Sequence, residues 1–214
     1  MIRKFALALA ALVLLYFGYL GWRIADERTA VSGKVDAILA RADPDELALP
    51  PKRVAILLKV EDPTFWTNKG IDLSTPGAGM TTLSQGLGKH IFFDDFQPGF
   101  RKGELMALTR FALYPMVDKN RTLNAVIANA YFGTHRGRPV TGFAVGARAW
   151  FGKPLQQLSD REFLELEAML VAPDQLKPRR GDAERAERVR RIERLLARQC
   201  TPTGLRDVML EGCA

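Results

Sequence analysis

Residues Phe5 to Trp22 form an apolar run with no charge and no proline. As a helix rising 1.5 Å per residue the run spans roughly 27 Å, close to the hydrocarbon thickness of a bilayer. Arg3 and Lys4 precede it, so the positive-inside tendency keeps the short N-terminus in the cytoplasm and sends the rest across. Tyr16, Tyr19 and Trp22 gather toward its far end, where amphipathic rings suit the headgroup layer. A cleaved signal peptide is the competing reading. The run is long for one and no A-x-A site follows it, which favours an uncleaved anchor over residues 1–22.

Residues 23–50 read as a charged stalk with one short helical stretch, Lys34 to Arg41, closed by Pro44 and Pro50-Pro51. Beyond them a 3.6-residue period recurs at Arg53 to Val60, Thr82 to Phe92, Glu104 to Met116, Thr122 to Phe132, Gly142 to Trp150, Ser159 to Val171 and Ala183 to Arg198, with a shorter candidate at Leu205 to Leu210. Ser159 and Glu162 are spaced as a capping box. No alternating β-branched runs or Asn-Gly turns point to strands, and no long repeat is visible. The expected architecture is all-α: one helical domain over 51–199 and a C-terminal tail over 200–214.

Composition narrows the chemistry. The chain has 214 residues, 47% of them hydrophobic, enough for one ordinary core, and a net charge of +7. Losing residues 1–22 removes Arg3 and Lys4 but no acid, so the remainder stays basic and suits an anionic lipid or a phosphate-bearing substrate beside a membrane. Nucleic acid, the other partner of basic chains, is disfavoured by a topology that exports the domain. Two His and two late Cys make a His/Cys zinc site unlikely. Cys200 and Cys213 either pair in an oxidising compartment or remain free thiols.

Three stretches stand apart from a plain helical bundle. Glu61 and Asp62 end a helix at Pro63, where acids oppose the macrodipole and so call for another reason to be present. Gly77 to Lys89 places glycines, then Thr81, Thr82, Ser84 and Gln85, ahead of a helix closing on Lys89, a surface receptive to anions. Phe92, Phe93, Phe96 and Phe100 crowd the 91–100 segment just before Arg101, Lys102 and Glu104. That segment either dips into the lipid interface or packs inward. The charges from Arg179 to Arg198 alternate at helical spacing and read as a solvated face with no catalytic role.

Taken in order, these stretches resemble the peptidoglycan glycosyltransferases of family 51, especially the monofunctional biosynthetic transglycosylases. The family motif E-D-x-x-F-x-x-H-x-G-x-D is matched by Glu61, Asp62, Phe65, Gly70 and Asp72, with Asn68 at the His position. G-G-S-T-I-T-Q-Q-L-x-K-N is similar to Gly79 through His90, with Gly86 where the family has Gln. R-K-x-x-E is similar to Arg101, Lys102 and Glu104, one residue short. Gly142 to Lys153 and Leu158 to Pro173 resemble two downstream segments, whereas K-x-x-I-L-E-x-Y-L-N is faint in Lys119 to Ala128, with Asn124 at its Glu.

The resemblance implies a lysozyme-like fold behind a single transmembrane helix, held in the bacterial inner membrane with the domain on the extracytoplasmic side. It implies polymerisation of lipid-linked disaccharide-pentapeptide (lipid II) into glycan strands with inversion, alongside other cell-wall synthesis proteins. The alternative is a catalytically degenerate member that binds precursor or assembly partners; a hydrolase of the same fold is a third reading. A sugar hydroxyl needs a base, for which Glu61 is the candidate, and a departing pyrophosphate needs cations and hydrogen-bond donors. Glu104 is the second catalytic candidate, acting directly or through a magnesium or manganese ion. Asp62, Phe65, Thr81, Thr82, Ser84, Gln85, Lys89, Arg101 and Lys102 are the substrate-binding candidates, and Asp62 is also expected to tune Glu61. Glu61, Lys89, Arg101 and Glu104 are expected to face one cleft.

Overall fold

The structure, a computed structural model, describes residues 2–214. Helix α1 (Ile2–Leu39) continues unbroken from the apolar run into the charged segment, so the short helix expected at Lys34 to Arg41 is the end of a longer one. No proline interrupts it, and Glu27, Val31 and Val35, spaced four apart, form a buried stripe. Its most apolar 18-residue window has a mean hydropathy of 2.0 and no buried residue, so this helix is long and apolar enough to cross a membrane.

The lower half of α1 lies against α4 (Leu83–Phe92), α5 (Phe100–Leu108) and α7 (Lys119–Asn129). Polar contacts fix that seam. Arg23 pairs with Glu104 at 3.1 Å and with Glu27, Lys34 bonds Glu27 and the Ile91 carbonyl, and Arg121 reaches Asp36 and Ser32. α2 (Pro44–Leu47) opens on a capping box made by Asp43 and Glu46. Buried Glu46 also accepts from the Ala144 amide at the start of α8 (Phe143–Phe151).

α3 (Pro51–Glu61) leads to a long loop before α4, whose cap is Thr82. α5 passes through a π-helical turn, Thr109–Leu113, into α6 (Tyr114–Met116). A helix was expected through Phe132, but α7 ends at Asn129 and two strands follow, β1 (Tyr131–His135) and β2 (Arg138–Thr141). They pair antiparallel, His135 opposite Arg138, around Arg136-Gly137, both at positive φ. This tight turn lacks the Asn-Gly signature, which is why the sequence pattern did not reveal it.

The chain then forms α8, α9 (Asp160–Ala168), α10 (Pro173–Leu176) and α11 (Asp182–Leu196). Ser159 and Glu162 make the expected capping box. The Leu205 to Leu210 candidate is not helical; the tail holds only a 3-10 turn, Glu211–Cys213, and the disulfide Cys200–Cys213.

Three apolar clusters build the interior. One joins α3 and α7–α9 with the hairpin through Leu57, Phe65, Phe132, Phe143 and Phe163. A second packs α1, α4, α5 and α7 through Val31, Leu87, Leu105 and Leu113. A third ties α3, α9 and α11 to the tail through Val60, Ile192 and Leu210. The last turn of α3 and the first turn of α4 stand where these clusters meet.

Candidate active site

Glu61 occupies the last position of α3 and lines two adjoining cavities. The larger, about 350 Å³, has an apolar floor of Leu57, Leu83, Leu87, Val126 and Phe143 and a polar rim of Thr81, Thr82, Lys89, His90, Asn129 and Tyr131. The smaller, about 220 Å³, is bounded by Gly77 to Thr81, Val171, Arg188 and Val208. Glu61 keeps 20% of its side chain exposed and accepts a 3.1 Å bond from Arg188 Nη2. Burial raises its pKa, while the Arg188 guanidinium pulls the other way. Such a carboxylate holds a proton more tightly than a solvated one, as a general base requires.

Arg188 corrects the solvated-face reading of residues 179–198. It is 2% exposed, and Arg185 beside it on α11 is buried too. The outer residues of that helix form surface pairs, Glu187 with Arg190 and Arg191 and Glu193 with Arg161 of α9. Behind Arg188, Glu167 of α9 is wholly buried and neither carboxylate oxygen has a hydrogen-bond partner. Burial, with Glu61 competing for the same cation, drives its pKa well up. In the sequence Glu167 is one acid among several on an amphipathic helix; its one distinguishing sign is that it follows Leu166 on the apolar side.

The cationic side of the cleft is made by α4, and a lysine of α5 braces its Thr81 rim. Lys89 lines the larger cavity, stands 5.6 Å from the Phe96 ring centre, and has its pKa lowered by burial. Lys102 donates to the Met80 carbonyl, Thr81 Oγ1 and Gln85 Oε1 at 2.6 to 2.9 Å. Burial, and then Lys89, bring it down to about 8.

The remaining candidates support the cleft or leave it. Asp62 is 1% exposed and turned away from Glu61: it accepts from the Leu83 amide, capping α4, and from Asn68 Nδ2. Burial lifts its pKa to about 6. Asn68 Oδ1 accepts from Gly70 N and Lys119 Nζ, so an amide serves at the position where the resemblance places His. Asp72 would be raised by burial, but donation from Thr64, Thr75 and Ser74 holds it low and folds the 70–75 loop. Phe65, Thr82, Ser84 and Gln85 are all buried; Thr82 and Gln85 both donate to the Gly70 carbonyl.

Glu104 and Arg101 do not share the cleft with Glu61 and Lys89. Glu104 faces α1, where Arg23 Nε and Tyr19 Oη donate to it, and Arg101 bonds the Asp95 carbonyl beside the Phe93 ring. The helical phase of α5 explains this, because Leu105 and Leu108 must face the core and so turn Glu104 toward the anchor helix. The 91–100 segment divides likewise. Phe92 is buried, Phe93 and Phe96 meet edge-on against the same core, and Phe100 is 97% exposed.

A helical domain behind an apolar helix, with a carboxylate and a lysine lining one largely apolar cleft, has the form of a ligand-binding or catalytic pocket. The chain belongs to the Transglycosylase family, which matches residues 39–198. It is 26% identical over 181 residues to penicillin-binding protein 1B of Haemophilus influenzae, covering 76% of this chain and 23% of that protein. With the Vibrio cholerae penicillin-binding protein 1B the identity is 31% over 152 residues, 64% of this chain and 19% of the relative. With the biosynthetic peptidoglycan transglycosylase of Burkholderia cenocepacia it is 28% over 163 residues, 70% of this chain and 64% of the relative. The chain thus spans about a fifth of the penicillin-binding proteins' length and under two thirds of the transglycosylase's.

Proposed function

We propose that this chain is a membrane-anchored glycosyltransferase that joins lipid-linked disaccharide-pentapeptide units into glycan strands with inversion, on the outer face of a bacterial inner membrane. One observation carries this reading: Glu61 opens onto the cleft, held by Arg188, with Lys89 and Lys102 on the opposing helices. Glu61 takes the proton of the attacking sugar hydroxyl as the new bond forms. Lys89, Lys102 and the Thr81 hydroxyl receive the charge that grows on the departing pyrophosphate.

The apolar floor accommodates hydrocarbon or sugar faces, and α1 with Phe100 keeps the cleft at the depth of a lipid-linked substrate. Other cell-wall synthesis proteins are the natural partners of such an activity. Among the described residues no three His, Cys, Asp or Glu side chains converge on a metal-sized site, and Glu104 is engaged by Arg23. This donor set does not fit a resident magnesium or manganese ion, so no step is routed through one.

The Arg23–Glu104 pair favours a second reading, a member that binds lipid-linked precursor without polymerising it, because the second expected carboxylate is absent from the cleft. Incubating the full-length protein in detergent with labelled lipid II separates the two. Polymer that falls by about 10²–10⁴ in Glu61→Gln supports the transferase. Saturable precursor binding with no polymer supports the binder, and soluble fragments released from cell walls support a hydrolase.

A further inference from the structure

The C-terminal tail lies beyond the family match, which ends at residue 198, yet it forms one wall of the cavity beside Glu61. Two backbone bonds join it to the glycine loop: Gly77 N donates to the Gly204 carbonyl and Gly79 N to the Leu205 carbonyl, each at 2.9 Å. The fit leaves no room for a side chain at either glycine. Gly77 and Gly79 sit at φ +81° and +70°, and a Cβ on either would lie 2.7 Å from Pro202 Cγ or 2.8 Å from Val208 Cγ1. From the other side, Arg188 spans the gap, donating through Nη1 to the Val208 carbonyl and through Nη2 to Glu61.

Residues 201–210 contain no helix or strand, so their shape depends on local ties. Asp207 gathers the amides of Thr203, Glu211 and Gly212, and the disulfide closes the segment with Cys213 fully buried. We propose that the tail, stapled by Cys200–Cys213, is a positioning element of the site that fixes the Gly77–Thr81 loop and holds Arg188 against Glu61. The consequence is a site whose geometry depends on an oxidised tail. This rests on Glu61 being the working carboxylate of the transferase reading, but the readouts below need no polymer.

The test uses full-length protein in detergent micelles, oxidised and after reduction, together with C200S/C213S. Amide hydrogen exchange is followed at 75–82 and over 143–151, and the Glu61 carboxylate is titrated by ¹³C NMR, with Glu61→Gln giving the assignment. Opening the disulfide should speed exchange at 75–82 by on the order of tenfold, leave 143–151 unchanged, and move the Glu61 midpoint upward as Arg188 loses its Val208 anchor. Val208→Gly, with the disulfide intact, should reproduce the faster exchange at 75–82, and the isosteric Val208→Thr should behave as wild type.

Unchanged exchange and an unchanged Glu61 midpoint with the disulfide open would overturn the proposal. So would exchange that rises equally across the chain, because the staple would then serve the fold as a whole. A wild-type protein that makes no polymer but shows the expected pattern refutes the transferase reading and leaves the positioning role standing.

Discussion

Glu167→Gln isolates the acid buried behind the candidate site. Three elements converge there: Glu61 from α3, Arg188 from α11 and Glu167 from α9. One guanidinium cannot neutralise two buried carboxylates, and Glu61 holds the direct bond, so Glu167 keeps its proton in the folded protein. The unfolded chain releases that proton near the usual 4.5. Above that pH the folded state binds the extra proton, and stability falls as pH rises, by about 1.4 kcal/mol per unit while Glu167 stays protonated.

Glutamine mimics the neutral acid, so the variant should match wild type within about 1 kcal/mol at pH 5. By pH 7, two units higher, it should be more stable by up to about 3 kcal/mol, or roughly 6–12 °C in Tm for a chain of this size. Asp62, whose raised value gives a slope of the same sign, is present in both proteins and cancels in the difference. Thermal unfolding of the full chain in detergent from pH 5 to 7.5 reads this directly. Curves that stay parallel, or a variant already several kcal/mol weaker at pH 5, would refute the protonated-acid account.

Further outcomes follow from the same contacts. Affinity for a lipid pyrophosphate should decline as pH rises through about 8, where Lys102 loses its charge. In Lys102→Ala the affinity should be lower and that pH step absent, as isothermal titration at pH 6.5 to 9 would register. Arg53 is buried, donates to the Leu155 and Leu158 carbonyls and lies 5.0 Å from the Phe163 ring centre. Arg53→Met strands both acceptors and should cost about 2–5 kcal/mol, measured by urea unfolding. Glu104→Gln should leave polymerisation within about threefold of wild type while weakening the seam to α1, seen as faster exchange over residues 23–39. A hundredfold loss of turnover there would place Glu104 back in the chemistry.

Much of the fold was legible in local pattern. The apolar run of α1, the 3.6 period of α3, α4, α8, α9 and α11, the Ser159 capping box and the order of the Glu61, Gly79 and Lys102 motifs are local properties of neighbouring residues. Polar and apolar alternation failed where the signal was equivocal. The Arg136-Gly137 turn carries no Asn-Gly mark, and α1 runs on through a segment whose charges suggested a stalk. Arg188 was hidden for a related reason: one face of α11 meets solvent and the other meets Glu61, and both bear arginines.

The chain's own order of residues determined its family, its single long apolar helix and the nomination of Glu61, Lys89 and Lys102, because each depends on residues close together along the chain. Tertiary structure alone decided that Glu104 turns to Arg23, that Arg188 and Glu167 stand behind Glu61, and that the tail closes on the glycine loop. The bonded pairs among them join residues 81 to 127 positions apart. Their partners are chosen by how helix faces pack and by which charges must find compensation once water is excluded.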